Sequence, residues 1–166
     1  MVSIRKVDST AIPVIKELAH RIWPVAYKDI LSAEQLAYML DLIYAETALQ
    51  NQMQQGHQFI LASYENDFAG FASYSQKGAE DNFKLYKIYI DTTKQGKGIG
   101  QLLLDFVIDD IKTKNAVSLE LTVNRHNKAL FFYLKNGFEI IREEDFDIGN
   151  GYFMNDFVMQ LKIENG

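Results

Sequence analysis

The sequence predicts an α/β or α+β domain with a central mixed, mostly antiparallel sheet of about seven strands flanked by helices. Two observations support this class. Segments of alternating or continuous apolar residues, typical of strands, are interspersed with segments whose apolar residues recur every three or four positions, typical of helices. The order is strand, helices, three strands, helix, strand, helix and two strands. Such an order places helices on the faces of one sheet.

The composition predicts one globular domain over residues 1–166. Apolar residues make up 48% of the chain, charged residues 23%, and the net charge is −5. This charge disfavours non-specific binding to nucleic acid. There is no cysteine, and no apolar run approaches the roughly 18 residues that span a bilayer. We therefore expect a cytoplasmic protein without a nucleic-acid or membrane partner.

The N-terminal part predicts one strand and three helices. Pro24 should bend or end the first helix, because proline cannot donate the helical hydrogen bond. Ser32 begins a capping box that starts the second helix, and Gly56 is a natural stop for the third. The predicted elements are a strand over 2–7 and helices over 11–28, 33–44 and 46–55.

The remainder predicts strands separated by two helices. Gly137 is placed to cap the second of these helices, and the segment 147–152 has the signature of a hairpin turn between the last two strands. The predicted strands cover 58–64, 68–76, 83–91, 117–123, 138–143 and 152–163, and the predicted helices cover 98–112 and a segment from His126 or Asn127 to about Lys135.

A glycine-rich turn, Gln95-Gly96-Lys97-Gly98-Ile99-Gly100, lies between a predicted strand and a predicted helix. Its backbone N–H groups, at the positive end of a helix dipole, favour a phosphate. The spacing does not match G-x-G-x-x-G, and the residues after Gly100 do not complete a Walker loop. The turn alone is compatible with any phosphate- or nucleotide-binding module.

A second motif runs from Leu121 to Phe138 and includes Asn127, Ala129 and Tyr133. With the glycine turn before it, this block resembles the GNAT superfamily of acetyl-CoA-dependent N-acetyltransferases over roughly residues 57–163. The resemblance implies a GNAT-like acyl-CoA N-acyltransferase fold without a metal. It also implies transfer of the acetyl group of acetyl-CoA to a primary amine by direct attack in a ternary complex. A non-catalytic CoA-binding regulatory module on the same fold is the alternative.

The resemblance also implies the site residues. The turn binds the pyrophosphate, the edge of the fourth strand binds the pantetheine arm, and the N–H of Ile90 donates to the thioester oxygen. Tyr133 is the general acid, since a phenol, with an ordinary pKa near 10, is protonated at neutral pH and can donate to a thiolate. Asn127 contacts the arm or caps a helix. The implied cofactor-binding residues are Ile88, Tyr89, Ile90, Gln95, Gly96, Lys97, Gly98, Ile99, Gly100, Asn127, Ala129 and Tyr133.

The general base stays open. An acceptor ammonium, with a pKa near 10, must lose a proton before it attacks. Tyr86, Lys87 and Thr122 occupy the strand positions where some family members carry a glutamate, Glu120 lies two residues early, and a water chain to bulk solvent is equally compatible.

The acceptor is expected between the N-terminal helices and the 145–155 loop. A small polyamine or amino compound, a protein N-terminus and a lysine all remain possible, as do a monomer and a homodimer. The N-terminal layout and the end of the chain look similar to bacterial polyamine-type members. The acceptor-side candidates are Trp23, Tyr27, Tyr38, Tyr44, Asp29, Glu34, Asp41, Glu46, Asn155 and Asp156.

Overall fold

The computed structural model describes residues 1–78 and 81–164. Within these described residues, seven strands and five helices follow the predicted order. The strands are β1 (Val2–Val7), β2 (Gln58–Tyr64), β3 (Asp67–Gln76), β4 (Asn82–Ile90), β5 (Ser118–Asn124), β6 (Glu139–Gly149) and β7 (Tyr152–Lys162). The helices are α1 (Ile12–Ala26), α2 (Ala33–Tyr44), α3 (Glu46–Gln54), α4 (Ile99–Lys112) and α5 (Ala129–Lys135), with short 3-10 turns at Ser9–Ala11 and Thr92–Lys94.

The strands form one sheet in the order β1-β2-β3-β4-β5-β7-β6. The pairs β1–β2, β2–β3, β5–β7 and β6–β7 are antiparallel. The pair β4–β5 is parallel, and its register covers residues 82–84 of β4 and 118–120 of β5. The predicted class, a mixed and mostly antiparallel sheet flanked by helices, is confirmed.

The chain divides into two compact units. The first comprises residues 1–75 and 86–110, and the second comprises residues 76–85 and 111–166. The single domain expected from the sequence stays a prediction. No helix in the described part of the chain is long and apolar enough to span a bilayer.

Polar side chains cap the 3-10 turn that precedes α1 and the start of α2. The side chain of Asp8 accepts a hydrogen bond from the Thr10 N–H at 3.0 Å, and Ser32 Oγ accepts one from the Gln35 N–H at 3.1 Å. Pro24 lies within α1, which continues to Ala26. Pro24 has no N–H to donate to the helix, but it lies in the last turn of α1, so the rest of the helix keeps its backbone hydrogen bonds. The apolar face of α1 is buried and consists of Ile12, Ile15, Leu18, Ala19, Ile22 and Trp23.

In the second unit, β7 lies between β5 and β6. Its residues 156–162 pair with β5, and residues 152–160 pair with β6. The strand β6 runs to Gly149, beyond the predicted end at 143, and the connection to β7 is a two-residue turn at Asn150 and Gly151, both with positive φ. Most of the segment expected as the 145–155 loop is therefore strand, and the turn lies within the hairpin signature predicted at 147–152. Alternating side chains and an Asn-Gly turn favour a continuous hairpin.

The helix α5 starts at Ala129, two or three residues later than predicted, because Asn127 and the residues beside it form a turn. The Asn127 side chain accepts from the Ala129 N–H at 2.9 Å, and the Asn127 N–H donates to the Asn124 carbonyl at 3.0 Å. Gly137 ends this helix with φ +92°. The Gly137 N–H donates to the Leu134 carbonyl at 3.1 Å, which confirms the predicted cap.

Candidate active site

The backbone of the glycine-rich turn 95–100, in the first unit, has free space beside two of its glycines. Gly96 has φ +83° and Gly98 has φ +75°, which is the left-handed region that favours glycine. A Cβ on either glycine would meet no heavy atom within 4 Å. The helix α4 follows at once, and its first intrahelical hydrogen bond runs from the Leu102 N–H to the Gly98 carbonyl at 3.1 Å. The N–H groups of Ile99 and Gly100, in the first turn of α4, have no helical acceptor and are available to an anion.

Asp91, which the motifs of the sequence did not indicate, anchors the entrance to this turn. It is 4% exposed, and its Oδ1 accepts from the Thr93 N–H at 3.0 Å and the Thr93 hydroxyl at 2.8 Å. Arg21 Nη2 lies 3.1 Å from its Oδ2. Burial alone would raise the pKa of Asp91, but the Thr93 hydrogen bonds and the charges of Arg21 and Lys94 outweigh it and hold that pKa below its usual range. The run Asp-Thr-Thr directly after a strand is the sequence pattern that could have predicted this turn.

The end of β4, Ile88–Ile90, lies against the neighbouring strand β3 at very close range. A Cβ built on Gly70 would approach the Tyr89 carbonyl oxygen to 2.5 Å and the Ile90 Cα to 3.2 Å. The pairing of β2 with β3 is irregular at this place, since Ala62 faces Gly70 while Ser63 faces Phe68. The backbone proposed for the cofactor arm is therefore set by a glycine and a bulge on the adjacent strand.

The aromatic residues suggested for the acceptor are mainly core. Trp23, Tyr27 and Tyr44 are 3%, 6% and 0% exposed. The Trp23 ring centroid lies 4.7 Å from that of Tyr27 and 5.5 Å from that of Tyr89, and the Tyr27 and Tyr89 hydroxyls are hydrogen-bonded at 2.9 Å. Tyr38 is half-buried. The acidic candidates of these helices are partly or fully exposed, namely Asp29, Glu34, Asp41 and Glu46.

Tyr133, the predicted general acid, belongs to the second unit. It lies on α5 and is 7% exposed. Its ring meets those of Phe132 and Phe138 edge to face, with centroids 5.5 and 5.7 Å away. Asn127 and Ala129 lie at the start of the same helix. The ring contacts hold Tyr133 in one orientation relative to α5.

The candidate bases lie in different surroundings. Glu120 is ion-paired with Lys77, and its side chain is 13% exposed. Lys87 is 7% exposed and donates to Gln52 Oε1 at 2.8 Å. Tyr86 is 37% exposed and stacks on His57 with ring centroids 4.2 Å apart, and Thr122 is half-buried. The one carboxylate among them is already bound to a cation.

Asp156, on β7 in the second unit, is a buried carboxylate. It is 6% exposed, and its Oδ1 has no hydrogen-bond partner among the residues that the structure describes. Burial raises the pKa of Asp156 to about 6, against the opposing charges of Arg125 and Lys84. From the sequence, Asp156 was suggested only as a residue of the acceptor side. Its burial could have been inferred from its position directly before the apolar residues 157–159 of a strand.

Within residues 1–78 and 81–164, no group of three or more His, Cys, Asp or Glu side chains is arranged to hold a metal ion.

The fold and these motifs define a class of acyltransferase. Residues 28–154 match the family model described as the acetyltransferase (GNAT) domain. The chain belongs to the GNAT acetyltransferase family. A curated relative, the [ribosomal protein bS18]-alanine N-acetyltransferase of Haemophilus influenzae, is 29% identical over 127 residues, which are 76% of this chain and 81% of that protein.

Solved structures have the same fold. The PaiA N-acetyltransferase of Thermoplasma acidophilum, in complex with coenzyme A, is 27% identical with a TM-score of 0.81, and the match covers 98% of this chain and 99% of that one. The ribosomal-protein-S18-alanine N-acetyltransferase of Escherichia coli is 19% identical with a TM-score of 0.75, over 100% of this chain and 96% of that one. At 19% identity, the second likeness concerns the fold alone.

Proposed function

We propose that the protein transfers the acetyl group of acetyl-CoA to a primary amine by direct attack in a ternary complex. The observation that carries this proposal is the turn 95–100. Gly96 and Gly98 adopt positive φ, the space beside their Cα atoms is open, and the turn leads directly into the first turn of α4. A pyrophosphate fits such a turn, because the backbone can approach it closely.

The remaining cofactor contacts are assigned to backbone and to small or polar side chains. The edge formed by Ile88, Tyr89 and Ile90 pairs with the pantetheine amides in the manner of an added strand. The Ile90 N–H donates to the thioester oxygen and stabilises the negative charge that develops there. Asn127 and Ala129 contact the arm. In this scheme Tyr89 takes part through its backbone, and its side chain stays in the aromatic cluster with Trp23 and Tyr27.

Tyr133 completes the transfer as general acid. The neutral amine forms a C–N bond to the thioester carbon, and the C–S bond breaks. The phenol of Tyr133 gives its proton to the departing thiolate, the nitrogen releases its surplus proton to solvent, and solvent reprotonates the phenol. The products are an N-acetyl amide and CoA.

The acceptor is a primary amine. The name of the Haemophilus influenzae relative, which acts on an alanine of ribosomal protein bS18, supports a peptide α-amine. The looser likeness to polyamine-type members supports a small amine. A panel should therefore hold both kinds.

Two measurements test the proposal. Isothermal titration should give a submillimolar Kd for acetyl-CoA. Thiol release should then be followed with spermidine, free lysine and a short peptide that begins with alanine. We expect turnover with at least one acceptor, and Tyr133→Phe should lower kcat by about 10-fold or more while the Kd for acetyl-CoA stays within about twofold. Binding without turnover on any amine would instead indicate a non-catalytic CoA-binding module.

A further inference from the structure

Asp156 lies on the sheet face that carries the suggested base positions of the fifth strand. In the antiparallel register of β5 and β7, Asp156 is opposite Asn124, Val158 is opposite Thr122, and Gln160 is opposite Glu120. Directly paired residues point to the same face of a sheet, and side chains alternate along each strand. Asp156 therefore shares a face with Thr122 and Glu120, at the C-terminal end of β5.

The environment of Asp156 leaves one of its oxygens without a protein donor. The side chain is more than nine-tenths buried, yet Oδ1 has no hydrogen-bond partner among the described residues. A buried carboxylate oxygen without a partner is costly, so a donor from outside the protein is expected there. Arg125, which is adjacent in the structure, donates its Nε–H to the backbone carbonyl of Asp156 at 3.3 Å, and its Nη2 lies 2.9 Å from Asp145 Oδ1. Its guanidinium is thus engaged by groups other than the Asp156 carboxylate.

The surrounding charges are mixed. Arg125 and Lys84 favour the ionised form of Asp156, and Asp145 disfavours it. Lys84 itself also interacts with Lys77, Glu120 and Glu144. Glu120, by contrast, is held in an ion pair with Lys77. Glu144 of β6, which is opposite Asp156, is ion-paired with Arg142. Of the two acids that β5 and β7 carry on this face, Asp156 is the one whose oxygen can accept a proton without first breaking an ion pair.

We propose that Asp156 is the general base that removes the proton from the acceptor ammonium, directly or through one water. This inference rests on the proposed acetyl transfer. The ammonium N–H bond breaks, its electron pair stays on nitrogen, and the proton moves to Oδ1 of Asp156, which leaves a neutral amine and a neutral carboxylic acid. After acetyl transfer, Asp156 returns the proton to solvent. No oxidant or further reactant is needed.

The test is the pH dependence of kcat/KM and of kcat, measured with the acceptor from the panel that gives the highest turnover. With wild-type protein, kcat/KM for the acceptor should fall on the acid side with a midpoint near pH 6, where Asp156 of the free enzyme takes up a proton, and kcat should also fall in acid. The isosteric variant Asp156→Asn should lower kcat at pH 7.5 by roughly 100-fold or more and should lose this midpoint, since an amide cannot accept the proton. The KM for acetyl-CoA should stay within about twofold.

Two further variants complete the design. Asp109→Asn removes the same charge from an exposed position of α4 and should keep the wild-type profile. Glu120→Gln distinguishes Asp156 from the other acid that β5 and β7 carry on this face. The inference is overturned if Asp156→Asn keeps the wild-type kcat and midpoint, or if Glu120→Gln is the variant that loses them. A wild-type protein that binds acetyl-CoA and acetylates no amine would overturn the proposed function itself, which is a distinct result.

Discussion

Gly70 and Tyr89 lie so close across neighbouring strands that position 70 has no room for a side chain. A Cβ on Gly70 would lie 2.5 Å from the Tyr89 carbonyl oxygen, which is backbone and cannot rotate away. The adjacent Ala69 carbonyl accepts a hydrogen bond from the Asp91 N–H at 2.8 Å. The backbone of Ile88–Ile90 is thus fixed from its β3 side, and any displacement there moves the segment assigned to the cofactor arm.

Gly70→Ala should therefore damage stability and cofactor binding together. Overpacking of a close strand contact costs about 1–3 kcal/mol. We expect a lower midpoint of thermal unfolding and at least a tenfold higher Kd for acetyl-CoA, measured by calorimetry on the folded variant. Ala72→Gly, in the same strand, controls for a changed methyl group and should leave that Kd near the wild-type value. Unchanged affinity in Gly70→Ala would show that the strand end has no part in binding.

Gly98→Ala should weaken acetyl-CoA binding. Its loss of folding stability should be about the same as that of a matched control variant. The control is Gly78→Ala, because Gly78 has the same φ of +75° and also has nothing within 4 Å of a built Cβ. Each substitution places alanine in the left-handed region, at a cost of roughly 1 kcal/mol. Titration with acetyl-CoA should give a clearly raised Kd for Gly98→Ala alone. Equal affinities in the two variants would contradict the role of the turn.

Asp91→Ala should destabilise the protein more than Asp8→Ala does. Both aspartates accept from the N–H and hydroxyl of the threonine two residues later, but Asp91 is 4% exposed and Asp8 is exposed. Loss of the buried cap should cost about 2 kcal/mol in urea unfolding at pH 7. Because the folded state lowers the pKa of Asp91, its stabilising contribution is present above the unfolded value of 3.8 and is lost as the pH falls below it. The difference between Asp91→Ala and wild type should shrink accordingly in acid.

Asp156→Asn should make the protein more stable at neutral pH. The folded state raises the pKa of Asp156 from 3.8 to about 6, so the folded protein binds the proton more tightly than the unfolded chain. Wild-type stability should therefore fall as the pH rises from 4 to 6, and the buried charge should cost on the order of 2 kcal/mol above that range. Urea unfolding of both proteins at pH 4 and pH 8 measures this. A variant less stable than wild type at pH 8 would mean that the Asp156 carboxylate has favourable partners when ionised.

Much of the fold was predictable because its signals are local. The Ser32 cap, the positive φ at Gly137 and the apolar run of β2 each depend on a few neighbouring residues. The errors were also local. The predicted β6 ended at residue 143, although the alternation of its side chains continues to Gly149. The predicted α5 began two or three residues too early, because Asn127 belongs to a turn that precedes the helix.

The site was predictable only where glycine or motif spacing marks it. The turn 95–100 and Tyr133 belong to contiguous motifs, so their identity follows from the sequence. The Gly70 contact, the Asp91–Arg21 pair and the isolation of Asp156 Oδ1 depend on residues that are far apart in the chain. No pattern within one segment shows that Glu120 has a cation beside it while the neighbouring acid has an oxygen without a donor.

The hairpin of β6 and β7 extends past the strand that supports it. In the described registers, residues 152–154 pair with β6, whereas the pairing of β7 with β5 begins at residue 156. A ribbon of two strands has little stability of its own in water. Its amide hydrogens should exchange with solvent much faster than those of residues 158–162, although one strand contains both. The tip should thus open and close many times before the protein unfolds once. A change of sequence at the tip would alter the free energy of this local opening and leave the free energy of global unfolding unchanged.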